Sequence, residues 1–490
     1  MLWGGPRLCL DSYVGRSSYG APDYTCRHCG AMFWLRECAA GQSSLRDGRV
    51  IYNSCCRGGK VVIPPFREPP EPIASLARFD GDANCRQFIK NIRQYNCLFA
   101  FTSMGANIDR SMNNGRGPPV FKVSGQVHHR IGPLLPANGN SPKFLQLYIY
   151  DTANEVKNRF RALHPDERSS ESLDPKIAER LVKMLDDHNP LARQFRLARD
   201  RLAENGDEEF IVRLIGAREG DPVQYNLPTV DQLAMLVVGD FTLDTFQRDI
   251  VVQPRSGHLE HISSLHPAFM ALQYPLLFPY GERGFQVSVP YSGVDTSGEN
   301  KRAKVTMQDY YRHCFHYRKG QSNPFLCYGA LSTQAKVDAR ACIDENRLWY
   351  VLRNQGKLRV ETLQGIVDAV DKGCVDGGEI GKKTMLSASH TGGRRYMIQN
   401  YHDGIAICRV HGPPDFFVTF TCNPKWPEIA VALSFEPGQK STDRADIVVR
   451  VYNMKLEELL GDIRDGTAFG PVSAGTLCCW VHFPFFFGHG

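Results

Sequence analysis

The sequence predicts an α+β protein in which an antiparallel sheet is backed by helices. Residues 416–422 are an uncharged run of aromatic and β-branched residues, which is typical of a buried strand. Helical patterns precede and follow this run, and Gly412-Pro413-Pro414 separates the first helix from it. Closely spaced cysteines near the N-terminus indicate a further small region that is organised by a metal ion.

Length and composition set the first limits on function. A chain of 490 residues exceeds one ordinary core, so two to four domains are expected. The 42% hydrophobic and 22% charged fractions are typical of a soluble globular protein. The formal charge of +6 permits nucleic-acid binding without indicating it. We expect no membrane span and no signal peptide, and the 16 cysteines without a secretory signal favour thiols or metal over disulfides.

The cysteines indicate a structural zinc site. Cys26 and Cys29 are followed by a glycine that lets the turn close, and Cys55-Cys56 supplies a second pair. Adjacent cysteines rarely both bind one metal ion, so His28 or Cys38 remains an alternative ligand. A cluster of reduced thiols on a loop is the alternative without metal. Zinc would act structurally here, because so small a region has little core of its own.

A proline-rich connector ends at Pro72, and the sequence after it predicts a mixture of helices and strands. Phe88, Ile92 and Tyr95 have helical spacing, whereas alternation predicts a strand over 144–150. Further helices are expected over 152–163, where Thr152 would be the cap, and over 173–188, 195–204, 333–354 and from 305. Further strands are expected over 120–123, 237–241 and 248–253. An apolar helix followed by an aromatic loop covers 265–281.

Several tempting motifs are interpreted as structural. His128-His129 would point to opposite faces of a strand, and His313 and His316 lack a further ligand nearby. The tyrosines at 310 and 311 are interpreted as ordinary helix residues. The loop 377–384 lacks the spacing of a phosphate-binding loop, so no ATP site is predicted.

The C-terminal third carries the polar residues of interest. On the predicted strand, Thr419 and Thr421 share a face, and Asn423-Pro424 ends it. A helix that begins near Tyr396 would bury an apolar stripe, and Asp443 would cap another helix. The stripes are Met397, Tyr401, Ile405 and Cys408 on the first helix, and Val448, Tyr452, Leu456, Leu459 and Ile463 on the second.

Three ordered segments, residues 391–401, 415–428 and 443–455, together with the aromatic loop 265–281, closely resemble the Helitron helicase-like domain. This domain is the N-terminal part of the rolling-circle Rep/helicase proteins of Helitron transposons, with plant members the best match, and the resemblance runs from about residue 22 to about residue 472. It implies that Thr419, Thr421, Asn423 and Pro424 belong to the first Rep motif, on a sheet of the HUH-endonuclease type. It also implies single-stranded DNA as partner, metal-dependent nicking through a tyrosine, and the nucleus as compartment.

The residues expected to contact DNA phosphate are Arg394 and Arg395, at a helix start, and Lys425 after the strand. A tight turn with solvated arginines is the alternative for the first two. We predict four segments: a cysteine-rich region with its connector (1–72), a middle α+β region (73–290), a partial Helitron helicase-like domain (305–472) and a divergent tail (473–490).

The sequence departs from the family pattern in one respect that concerns chemistry. The family binds its catalytic metal with a His-hydrophobic-His pair, and no His-x-His occurs in these 490 residues. The nicking tyrosine motif and the helicase are not found either. We therefore expect a truncated protein with an incomplete Rep sheet that neither nicks DNA nor hydrolyses ATP. The alternatives are a non-enzymatic, zinc-dependent DNA-binding module and a gene relic without function. Oligomeric state is not predicted.

Overall fold

The computed structural model describes the chain in segments that are separated by gaps. The described residues are 18–38, 52–109, 122–137, 139–163, 173–204, 210–214, 234–238, 250–252, 259–287, 289–293, 303–355, 386, 390, 393–467 and 469–475. They fall into two compact units. The first comprises the described residues up to 341 together with 423–454, and the second comprises those of 342–422 and 455–475.

The strands form small antiparallel sheets, as the predicted α+β class requires. β1 pairs with β2, β4 lies between β3 and β8, and β5 lies between β6 and β7. The strands are β1 Tyr24–Thr25, β2 Met32–Phe33, β3 Ser103–Asp109, β4 Lys122–Ile131, β5 Phe210–Leu214, β6 Ala234–Val238, β7 Ile250–Val252 and β8 Glu260–Ile262.

Helices account for most of the regular structure in the described residues. They are α1 Ile73–Leu76, α2 Ala83–Phe99, α3 Glu155–Leu163, α4 Pro175–His188, α5 Pro190–Glu204, α6 Phe269–Gln273, α7 Met307–Cys314, α8 Gly329–Arg353, α9 Arg394–His411, α10 Pro427–Leu433 and α11 Ala445–Arg464. α2 shows how sequence sets these elements: the Asp82 side chain caps it by accepting from the Cys85 amide. Its predicted apolar face is confirmed, since Phe88, Ile92 and Tyr95 are all buried.

The strand predicted over 416–422 is wrong. These residues form no strand, and the Phe416 and Phe417 side chains are 69% and 92% exposed. A strand requires a neighbouring strand to pair its amides and carbonyls, and in the described residues every strand ends before residue 263. Phe416 instead stacks on Phe469, with ring centroids 5.6 Å apart. The Rep-type sheet therefore remains a prediction.

Other elements differ from expectation for related reasons. The strand predicted over 144–150 is wrong, because Phe144–Tyr148 forms a 3₁₀ helix and buries Leu145, Leu147 and Tyr148. Short apolar runs do not distinguish helix from strand. The stripe predicted on α9 is exposed at Met397 (59%) and Tyr401 (64%).

On α11 the buried face is displaced from the predicted stripe. Its buried apolar residues are Ile447, Val451 and Met454, and two of its buried charged residues, Asp446 and Arg450, lie among them. Periodicity missed this face because it counts charged residues as solvent-facing. Ion pairs with neighbouring segments keep these two charges inside the protein.

Candidate metal centre

The first cysteine pair lies on a tight hairpin between β1 and β2. The Cys26 amide donates to the Ala31 carbonyl (2.8 Å), and the Gly30 amide donates to the Cys26 carbonyl (2.7 Å). Gly30 has φ +69°, a backbone region that glycine enters without a steric penalty. This turn brings Cys26 and Cys29 to the same side of the hairpin.

The second pair lies at the start of a glycine-rich turn. The Gly59 amide donates to Cys56 Sγ (3.2 Å), and the Val61 amide donates to the Cys56 carbonyl (3.0 Å). Gly59 has φ +89°, and a Cβ at this position would lie 2.8 Å from His28 Nδ1. A side chain at residue 59 would therefore displace the His28 ring and strain the backbone.

The four sulfur atoms converge within 4.8 Å of one another, so Cys26, Cys29, Cys55 and Cys56 could together hold a metal ion. The Sγ–Sγ distances are 3.7 Å from Cys26 to Cys56, 3.4 Å from Cys29 to Cys55 and 3.7 Å from Cys55 to Cys56. Zinc–sulfur bonds of about 2.3 Å in a tetrahedron place the sulfurs about 3.8 Å apart. The donor set and its spacing thus fit a tetrahedral thiolate site.

The adjacent Cys55 and Cys56 both belong to this group, as the predicted set of four cysteines requires, although adjacent ligands of one metal ion are rare. His28 and Cys38, the alternative ligands, are not members of the group. Instead His28 is exposed beside Gly59, and burial raises the pKa of the Cys38 thiol.

The pKa values of the four thiols differ from one another when no metal is bound. The pKa of Cys26 is lowered, because the Cys29 side chain above all, and those of Cys55 and Cys56, hydrogen-bond to its thiolate. The pKa of Cys55 is raised by its bonds to Cys26 and Cys29 and by burial. For Cys29, the bond with Cys26 raises the pKa, but bonds with Cys55 and Cys56 and the charge of Arg318 lower it to about 6. Thiolate is therefore available for metal binding near neutral pH.

Helix α7 and the loop after it contact both cysteine turns. Arg57 Nε donates to Asp309 Oδ1 (2.8 Å), and Arg318 Nε donates to the Cys29 carbonyl (2.7 Å). Asp309 is 2% exposed on the first turn of α7 and also accepts from the hydroxyls of Tyr291 (2.6 Å) and Thr306 (2.7 Å). Sequence patterns gave no indication of Arg57, Asp309 or Arg318, because each acts through a partner far away in the chain.

His316 forms a further link between α7 and the second cysteine turn. Its Nδ1 donates to the Arg312 carbonyl (2.7 Å), so Nε2 is the acceptor for the Tyr52 hydroxyl (2.8 Å). Burial lowers the pKa of His316 well below its ordinary value. His316 therefore serves packing and hydrogen bonding as a neutral ring, in agreement with its interpretation as structural.

The residues expected to contact DNA are at the surface in the described chain. Arg394 and Arg395 begin α9, and both are exposed. Lys425 is also exposed, and its amide donates to the Asn423 side-chain oxygen (3.0 Å). The remaining residues expected in the first Rep motif, Thr419, Thr421 and Pro424, are exposed as well.

The fold and the cysteine group define a protein of mixed helices and small antiparallel sheets that has a candidate metal centre. Residues 310–479 match the family model described as the Helitron helicase-like domain at the N-terminus, so the chain contains a domain of this family. No curated protein matches the chain. No helix among the described residues is both long and apolar enough to cross a bilayer.

Proposed function

We propose that this chain is a Rep/helicase-type protein of a Helitron transposon that binds single-stranded DNA in the nucleus and contains structural zinc. The family match over residues 310–479 carries the proposal, because the resemblance to that family implies DNA processing during rolling-circle transposition. The role in transposition, the compartment and a plant source come from the resemblance of the sequence.

The four-cysteine group supports zinc as the metal. Thiolates favour zinc among the common divalent ions, and no open position for substrate is needed in a structural site. One equivalent of zinc per chain, retained through gel filtration and reduced by Cys56→Ser, is the expected result. Cys97→Ser is the control, because Cys97 is outside the group and exposed. Purified protein without bound metal would contradict the proposal.

The exposed basic residues Arg394, Arg395 and Lys425 support DNA binding. Electrostatic contacts to phosphates weaken as salt increases, so binding of a labelled single strand should decrease steeply between 50 and 200 mM salt, by roughly a factor of 10 or more for a few contacts. The double variant Arg394→Ala, Arg395→Ala should reduce affinity and this salt dependence. Arg180→Ala with Lys183→Ala on α4 removes the same charge at exposed positions that have no predicted role. Equal losses in the two double variants would contradict the assignment.

We further propose that residues 1–490 do not nick DNA and do not hydrolyse ATP. The absence of a His-x-His pair from this sequence supports the first statement, since nicking in the family requires a metal beside the scissile phosphate. The second statement, that the chain does not hydrolyse ATP, is supported by the loop 377–384, which lacks the spacing of a phosphate-binding loop. A covalent, Mg²⁺- or Mn²⁺-dependent adduct between the protein and a labelled oligonucleotide would contradict the first.

The second candidate is a non-enzymatic, zinc-dependent DNA-binding module, which the cysteine group favours. It differs from the first candidate in where DNA binds: chelation should then abolish DNA binding directly, while Arg394 and Arg395 should contribute little. A gene relic without function would be expected to give no cooperative thermal transition.

A further inference from the structure

We infer that Arg318 couples the four-cysteine metal site to helix α7 of the Helitron helicase-like domain, so that metal binding stabilises that helix. The inference rests on the proposed zinc and concerns residues to which no role in metal binding is assigned. Cys26 and Cys56 lie outside the segment that the family model matches, whereas Arg318 lies inside it.

The contacts of Arg318 carry the inference. Its side chain joins the Cys29 carbonyl to carbonyls at the end of α7, through Nε to Cys29 (2.7 Å) and through Nη1 to His313 (3.0 Å) and His316 (3.1 Å). Arg318 is only 7% exposed, so these bonds are shielded from competing water. One planar guanidinium thus fixes the first cysteine turn against the helix.

The positive charge of Arg318 gives a second reason to couple this residue to metal binding. Four thiolates around one Zn²⁺ carry a net charge of −2, which is costly in a mostly buried site. Arg318 supplies a positive charge beside the cluster, and its Nη2 is buried without a hydrogen-bond partner among the described residues. A buried cation that is bonded to the Cys29 backbone offsets part of the cluster charge and so favours the metal-bound state.

The second cysteine turn contacts the same helix independently. Arg57 pairs with Asp309 at the start of α7, and Tyr52 bonds to His316 just beyond its end. Both ends of α7 therefore contact the turns that the metal would hold together. Metal loss would free these turns and remove partners from the buried Asp309 carboxylate and the His316 ring.

The test compares three arginine variants in the full chain. Arg318→Met removes the charge and the donors, and residues outside the first coordination shell typically change metal affinity by 10- to 100-fold. We expect a loss of about 10-fold or more in zinc affinity by chelator competition. Arg318→Lys keeps the charge and should recover part of it. Arg27→Met is the matched control, because Arg27 adjoins Cys26 but is exposed, and we expect less than about a threefold change.

Hydrogen exchange on the wild-type chain tests the coupling without any substitution. Zinc added to chelator-treated protein should slow exchange at residues 26–61 and also at 307–318. Protection confined to 26–61 would overturn the inference, as would wild-type zinc affinity in Arg318→Met. If Arg318→Met does not fold, Arg318→Lys and the wild-type exchange data decide. A wild-type chain that binds no zinc would instead refute the proposed metal. Failure of the metal proposal can therefore be distinguished from failure of the coupling through Arg318.

Discussion

Glu37 and Arg450 form a buried, doubly hydrogen-bonded ion pair although 413 residues separate them in sequence. Arg450 Nε lies 2.6 Å from Oε1 of Glu37, and Nη2 lies 2.5 Å from Oε2. The Arg450 side chain is 3% exposed, and the Glu37 side chain is 0% exposed. Arg450 also donates to the Met32 carbonyl (3.1 Å) and lies over the Trp34 ring, 4.8 Å from its centroid. Helix α11 is thereby bound to the hairpin that carries the first cysteine turn.

The first prediction concerns this pair. Glu37→Gln leaves the Arg450 guanidinium buried without an opposite charge, and loss of one partner from a buried pair costs about 3–5 kcal/mol. The free energy of unfolding in urea should fall by that amount. Asp80→Asn is the control, because the Arg78–Asp80 pair is exposed and its loss should leave the free energy of unfolding nearly unchanged. Equal effects of the two substitutions would show that the Glu37–Arg450 pair is not buried in solution.

A second prediction separates two partners of Asp446. This buried carboxylate accepts from Arg444 Nη2 (2.8 Å) and from Lys336 Nζ (3.4 Å). Burial raises its pKa, but the charges of Arg444 and Lys336 outweigh that effect and lower it. Burial also lowers the pKa of Lys336. Asp446→Asn leaves two buried cations together and should cost about 3–5 kcal/mol.

Lys336→Met should cost much less, about 1 kcal/mol or below, because Asp446 keeps its bonds to Arg444 and methionine fills a similar volume. Urea unfolding of both variants measures the difference. A Lys336→Met variant that is as unstable as Asp446→Asn would show that the ammonium, and not Arg444, is the main partner of the carboxylate.

The third prediction is a loss of stability in mild acid. The pKa of His316 is lowered by burial, and burial also lowers that of His313 to about 3, from ordinary values of 6.5. The unfolded chain therefore binds protons below pH 6.5 that the folded chain does not, and stability is lost as pH falls from that value. His316→Gln should reduce the slope of unfolding free energy against pH, between pH 6 and 5, by up to about 1.4 kcal/mol per pH unit.

The comparison of slopes, and not of stabilities, isolates His316 in that measurement. Acid also protonates the cysteines in both proteins, so their contribution to the difference is small. Identical slopes for His316→Gln and wild type would refute the neutral, buried state of His316.

The fourth prediction tests the exposure of the segment that sequence patterns assigned to a buried strand. Phe417→Ser should change the free energy of unfolding by less than about 0.5 kcal/mol, because the Phe417 side chain is 92% exposed. It should also raise solubility by removing an exposed aromatic ring. Phe88→Ala, at a fully buried position of α2, should cost about 3–5 kcal/mol. A large loss of stability in Phe417→Ser would mean that this residue is buried in solution.

The sequence by itself determined the local features of this protein. The spacing of Cys26 and Cys29, the glycines beside the cysteines and the period of α2 depend on residues a few positions apart, where geometry follows directly from spacing. These features predicted the four-cysteine group that could hold a metal ion and the core face of α2. The resemblance of longer segments likewise identified the Helitron helicase-like domain that the family match supports.

Only the tertiary structure decided which charged residues are buried and which apolar residues are not. Arg318, Asp309 and Arg450 are inside because partners from distant segments offset their desolvation, and no local pattern encodes such a partner. Phe417 is outside because a strand-like sequence forms a strand only where another strand supplies its hydrogen bonds, and none of the described strands pairs with residues 416–422. The adjacent cysteines join one group because the turn at Gly58 and Gly59 bends the chain around them.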